Sequence, residues 1–147
     1  MEKVVLPNDV LLDEVTRLLA QGRDVALVPK GNSMLPFIHG DHDSVVLRRR
    51  ATVEVGDIVL ARFGGRYVLH RVIAVEGTKV TLMGDGNLKG VEQGDKAEVC
   101  GTVIEIVSPN GRRRKPTKGR LWRRLLPVRR YLLKLHRKWR KLFGKPL

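Results

Sequence analysis

The stretch DIVLARFGGRYVLHRVIAVEGTKVTLM, residues 57–83, decides the fold. It holds three runs rich in Val, Ile and Leu, namely Asp57 to Phe63, Arg66 to Val75 and Lys79 to Met83, separated only by Gly64-Gly65 and by the gap at Glu76-Gly77. Gaps this short leave room for a tight reversal and nothing else, so the runs predict antiparallel strands joined by hairpins. Working outward, the same texture recurs at Asp24 to Pro29, Ser44 to Arg49 and Glu98 to Val107, with Gly, Asp or Asn punctuating nearly every gap. Six short strands with no helix between them predict a mainly β unit, a small curled sheet or barrel. Ahead of them Leu11, Val15, Leu18 and Leu19 recur at helical spacing, with Asn8 placed to cap the helix and Gly22 to end it.

The 147 residues fit one domain, which argues against separate cofactor and substrate modules. An apolar share of 42% excludes full disorder, and an aromatic share of 5% points to an aliphatic core. Charge divides the chain sharply. Residues 1–109 hold 13 basic and 15 acidic side chains, whereas residues 110–147 hold 16 basic and none acidic. The turn residues Ser108-Pro109-Asn110-Gly111 mark the expected boundary, giving a β-domain over 1–109 and a basic tail over 110–147. The lone Cys100 permits no internal disulfide and reads as a strand residue facing the core. Met1 to Pro7 lack the pattern of a signal peptide, and no apolar run reaches the roughly 18 residues of a membrane span. The expected location is therefore cytoplasmic, with membrane contact confined to a surface.

Three short motifs carry chemistry. Gly31-Asn32-Ser33-Met34-Leu35-Pro36, followed by Gly40-Asp41, presents a serine on a loop whose glycine frees backbone amides to face an oxyanion and whose Pro36 stiffens the exit. By spacing alone Ser33 reads as a turn residue, since a serine between strands usually is one. On the run Tyr67 to Ile73, alternation sets His70 on the face of Val68, Val72 and Ala74, and Arg71 on the face of Leu69 and Ile73. A histidine in apolar company tends to stay neutral, as a general base must, although it also fits a core position bonded to a backbone carbonyl. Gly84-Asp85-Gly86-Asn87 reads as a hairpin turn, or, taken with Ser33 and His70, as the source of an Asp that orients the imidazole. The dense group His39, Asp41, His42 and Asp43 has metal-ligand chemistry, but adjacent residues on one loop rarely converge on one ion, so no metal is expected.

These motifs, together with Val55-Gly56-Asp57-Ile58-Val59 and Leu69-His70-Arg71-Val72-Ile73, resemble in order and spacing the type I signal peptidases over about residues 25–107. Those enzymes share their β-fold with the self-cleaving peptidase domain of the SOS repressor. The resemblance implies a serine endopeptidase without a cofactor, acting on a peptide or leader segment. It implies Ser33 as nucleophile, His70 as the general base in the manner of the histidine-using members, and Asp85 as the supporting acid, with Glu92 and Asp95 next in line. Gly31, Asn32, Met34 and Pro36 would shape the oxyanion and substrate site. Gly31 offers no hydroxyl there, so backbone donors must serve. The competing reading is a non-catalytic module that binds peptide or nucleic acid on the same fold.

In the tail, Leu121, Leu125, Val128, Leu132, Leu135, Trp139 and Leu142 form an apolar stripe between basic faces, with Pro127 kinking it near its start. With Trp122 and Phe143 added, the pattern over 119–143 suits a basic amphipathic helix lying on an anionic membrane surface. Phosphates of RNA or DNA and the β-domain itself are the other partners such a stripe would suit.

Overall fold

The computed structural model describes the backbone of residues 3–5, then residues 9–87 and 90–124, and beyond them Leu132, Leu135, His136 and Lys138. Nine strands form one sheet in the order β1-β2-β3-β8-β4-β5-β6-β7, with β9 added beside β8. The strands are β1 Lys3–Val5, β2 Val25–Val28, β3 Ser44–Arg48, β4 Ile58–Phe63, β5 Arg66–Glu76, β6 Lys79–Met83, β7 Glu92–Asp95, β8 Val99–Val107 and β9 Arg113–Arg114. All six strands read from the sequence are present, within a residue or two at each end. The curled, mainly β architecture stands as expected. Every pairing is antiparallel except β1 on β2, in which Val5 lies opposite Val28.

Helix α1, Asp9–Ala20, buries Val15 and Leu19 against Leu27, Leu47, Leu60 and Val103. Its end is a Schellman closure, in which the Gly22 amide donates to the Leu19 carbonyl and the Arg23 amide to the Leu18 carbonyl, with Gly22 at φ +82°. Asn8 lies outside the described residues. Strand β4 is buried on both sides: Ile58 and Leu60 join the cluster under α1, while Val59, Ala61 and Phe63 join Val72, Val80 and Leu82 in a second. That double burial explains its nearly unbroken apolar run, with Arg62 the exception.

The expected alternation along β5 holds up to Val72. A register shift between Val72 and Ala74 then changes the phase, so that Val75, not Ala74, packs with Val68 and Val72. Similar shifts interrupt the pairing of β8 with β3 and with β4. Bulges of this kind bend a sheet, and here they accompany its curl.

The boundary expected at 109/110 is a hairpin turn. The Gly111 amide donates to the Ser108 carbonyl, Gly111 sits at φ +86°, and the chain returns as β9 along β8. From there to the short helix α2, Arg120–Arg124, the segment lies on the β-domain. Arg114 pairs with the buried Asp43, Lys118 pairs with the buried Asp57, and Trp122 is 8% exposed. Arg114 and Lys118, two of the basic side chains of the expected tail, thus neutralise buried acids of the β-domain. Most of the apolar stripe lies outside the described residues. Of its described members, Leu121 and Leu135 are exposed, and Leu132 packs beside Leu35 and Trp122. Among the described residues no helix is long and apolar enough to cross a membrane.

Candidate active site

Ser33 sits in the loop between β2 and β3, and His70 lies in the middle of β5. Both line one cleft of about 260 Å³, together with Leu12 of α1, Pro29, Gly31, Met34, Ile38, Leu60 and Leu69. The loop is tightly folded. A Cβ built on Gly40 would fall 1.8 Å from the Gly31 carbonyl oxygen, so only glycine fits where the two ends of the loop cross. Beside it Asp41 adopts φ +66°, and its amide donates to the Pro29 carbonyl at 2.7 Å.

The turn after β6 joins the two halves of the site. The Gly86 amide donates to the Ser33 carbonyl at 2.7 Å. A Cβ on Gly84 would lie 2.5 Å from that same Ser33 oxygen and 3.0 Å from His70 Nε2. Gly84 therefore lets the Ser33 loop and the imidazole approach one another. No hydrogen bond joins Ser33 Oγ to the ring among the described residues. Both line the same cleft, and hydrogen bonds between a serine and a histidine are often long or absent in a site without substrate.

The acid beside His70 is Glu92: His70 Nδ1 and Glu92 Oε1 are 2.5 Å apart. Asp85, expected in that position, is held elsewhere. Both of its oxygens accept from Arg71, Nε to Oδ1 at 2.8 Å and Nη2 to Oδ2 at 2.7 Å, in a pair with side chains 0% and 1% exposed. Strand parity is the reason. Val72 pairs with Leu82 and Leu82 with Glu92, so Glu92 shares a face with Val72 and hence with His70 two residues away. Arg71 pairs with Met83, which puts the continuation to Asp85 on the opposite face. Asp95 caps the 3-10 turn Lys96–Glu98 and takes no part in the cleft.

Arg71 is the missed residue. Its guanidinium also donates to the carbonyls of Gly56 and Thr117 and lies 5.0 Å from the Phe37 ring centroid. The signal was present in the sequence: neighbouring His and Arg on one buried strand point to opposite faces, and a buried guanidinium requires a carboxylate on its own side. Of the other loop residues, Gly31 and Met34 line the cleft, Asn32 is exposed, and Pro36 follows a cis peptide bond from Leu35. The group His39, Asp41, His42 and Asp43 is structural in its clearest member: Asp43 accepts from the His39 amide and pairs with Arg114. No cluster of metal-ligating side chains occurs among the described residues.

The curled antiparallel sheet is that of a serine peptidase-type domain. The chain is a member of the family described as Peptidase S24-like, which matches it over residues 2–104. No curated protein matches the chain.

Proposed function

We propose that this protein is a serine endopeptidase in which Ser33 is the nucleophile, His70 the general base and Glu92 the acid that orients it. The observation that carries the reading is the cleft itself, which Ser33 and a carboxylate-bonded His70 line together. Ser33 Oγ attacks the scissile carbonyl and gives its proton to His70 Nε2. Glu92, bonded to Nδ1, fixes the tautomer and stabilises the imidazolium. His70 then protonates the leaving amine, and water activated by the same ring releases the acyl group. The oxyanion faces backbone amides of the loop around Ser33. An extended peptide suits the cleft, because β6 pairs with β5 only from Arg71 onward and leaves the Tyr67–His70 edge open to a further strand.

A fluorophosphonate probe tests the assignment directly. Ser33 should displace fluoride and form the phosphonyl adduct, and Ser33→Ala should remove it. An unmodified wild-type chain, or an adduct on another residue, would overturn the reading in favour of a peptide-binding module. Comparing protein N-termini in cells carrying the wild-type chain and Ser33→Ala then identifies the substrate.

The basic C-terminal segment adds a proposed partner, an anionic membrane surface. Exposed Leu121 and Leu135 stand among Arg120, Arg124 and Lys138, an apolar-and-basic mixture that suits the headgroup region. Nucleic acid is the rival occupant.

A further inference from the structure

We propose that Trp122, which lies beyond the segment matched by the family, is a positioning residue for Ser33; the inference rests on the peptidase reading above. The indole Nε1 donates to the Asp85 carbonyl at 2.8 Å. It thereby holds the outer side of the turn whose Gly86 amide grips the Ser33 carbonyl and whose Asp85 amide meets Met34 Sδ at 3.5 Å. The same indole packs on the buried Leu35 and meets the Phe37 ring edge-on, with centroids 6.2 Å apart and planes at 78°. Leu35 and Phe37 follow Ser33 by two and four residues. Trp122 thus touches both supports of the nucleophile, the loop that carries it and the turn that holds its carbonyl.

The neighbouring segment brings the indole to this point. Arg114 Nη2 donates to the Phe37 carbonyl at 2.6 Å, and the Thr117 carbonyl accepts from Arg71 at 2.6 Å. Gly119, at φ +64°, allows the backbone to pass close over that guanidinium, since a Cβ there would lie 2.7 Å from Arg71 Cζ. An aromatic ring packed in this manner restrains the loop without meeting substrate. Its effect is on the placement of Ser33 Oγ, to which reaction rate is steeply sensitive.

The test measures the rate of fluorophosphonate addition to Ser33 in full-length protein, well below each variant's own unfolding midpoint. Trp122→Ala, which removes packing and hydrogen bond together, should slow addition by roughly tenfold to a hundredfold. Trp122→Phe keeps the ring against Leu35 and Phe37 but loses the bond to Asp85, and should recover most of that loss, remaining roughly twofold slow. If folded Trp122→Ala and Trp122→Phe reacted at the wild-type rate, with only their unfolding midpoints lowered, Trp122 would be a packing residue and the proposal would fall. A wild-type chain that does not react at all overturns the peptidase reading, and this inference with it.

Discussion

His70 and Glu92 meet across three strands: the ring on β5 reaches over β6 to a carboxylate on β7, 2.5 Å from Nδ1. Neighbouring Arg71 takes Asp85 on the other face of the same strand. The two acids and their partners, an imidazole and a guanidinium, are thereby sorted by side of the strand.

Removing Glu92 is expected to cost activity and removing Asp85 to cost stability. Glu92→Gln should lower turnover roughly a hundredfold or more, since the imidazolium loses its counter-charge. Glu92 is partly exposed, and its loss should change unfolding free energy by no more than about 1 kcal/mol. Asp85→Asn leaves a fully buried guanidinium short of its carboxylate and should destabilise the fold by about 3–5 kcal/mol. Chemical denaturation and steady-state kinetics on both variants check the pair; the reverse pattern would assign the catalytic acid to Asp85.

Ser33→Ala and His70→Ala should each reduce peptide cleavage by several orders of magnitude. Because nucleophile and base act as one unit, the double variant should be no slower than either single one. Kinetics on the natural substrate settle this, and substantial activity in either variant would remove that residue from the mechanism.

Alkaline pH should destabilise the protein through Cys100. Burial pushes its thiol up, against weaker opposition from a bond to Thr16. The folded state therefore holds this proton more tightly than the unfolded chain. The resulting stability is fully present below the free-thiol value of about 8.5 and is lost as pH rises through the folded value. Tyr67, raised by its own burial and by its bond to Asp13, adds a loss of the same sign above about 10. Unfolding midpoints followed from neutral to alkaline pH should fall less steeply in Cys100→Ala than in wild type. Native Cys100 should also react more slowly with iodoacetamide than the same thiol in denaturant.

Ending the chain at Ser108 should weaken the fold more than ending it at Arg124, which gives up the packing of Leu132 beside Leu35 and Trp122 but keeps Trp122 itself. The shorter form loses buried Trp122 and the cations beside Asp43 and Asp57, which together lower the unfolding midpoint by roughly 10 °C. Calorimetry of the two forms distinguishes the outcomes.

The form ending at Arg124 also isolates the rest of the basic segment, since it lacks eight of the 16 basic residues beyond position 109. Full-length protein should sediment with anionic vesicles, this form should do so weakly, and added salt should release both. Binding to RNA with steep salt dependence, in the absence of vesicle binding, would replace the membrane by nucleic acid.

The sheet was legible because its hairpins announce themselves: Gly64 and Gly65 both take positive φ, at 57° and 79°, as a two-residue turn between twisted strands requires. The serine loop and the histidine strand were legible for a related reason, as both sit beside such punctuation. Strands β1, β7 and β9 were not, being short and, in Glu92–Asp95 and Arg113–Arg114, almost wholly polar. Their extended form comes from the neighbour they pair with, and no local pattern records a neighbour. Asp85 was placed ahead of Glu92 through the same gap, since the meeting of Glu92 with His70 is reached only by following register through β7. What the charge pattern beyond 109/110 did not convey is that Arg114 and Lys118 pair with the buried acids Asp43 and Asp57.

Among the described residues, strand β7 closes one end of the sheet and pairs with β6 alone. Its outer amides face no other strand, while Gly94 lets the Phe63 ring lie against it, a Cβ there falling 2.3 Å from the ring. Edge strands held on one side open with lower free energy than the centre of a sheet, so their amides exchange with solvent hydrogen first. Because Glu92 begins this strand, each such opening withdraws the carboxylate from His70 without disturbing Ser33. Hydrogen exchange across Glu92–Asp95 therefore measures how often the imidazole stands alone, and a bound peptide that steadies β7 would lengthen the intervals in which the acid is in place.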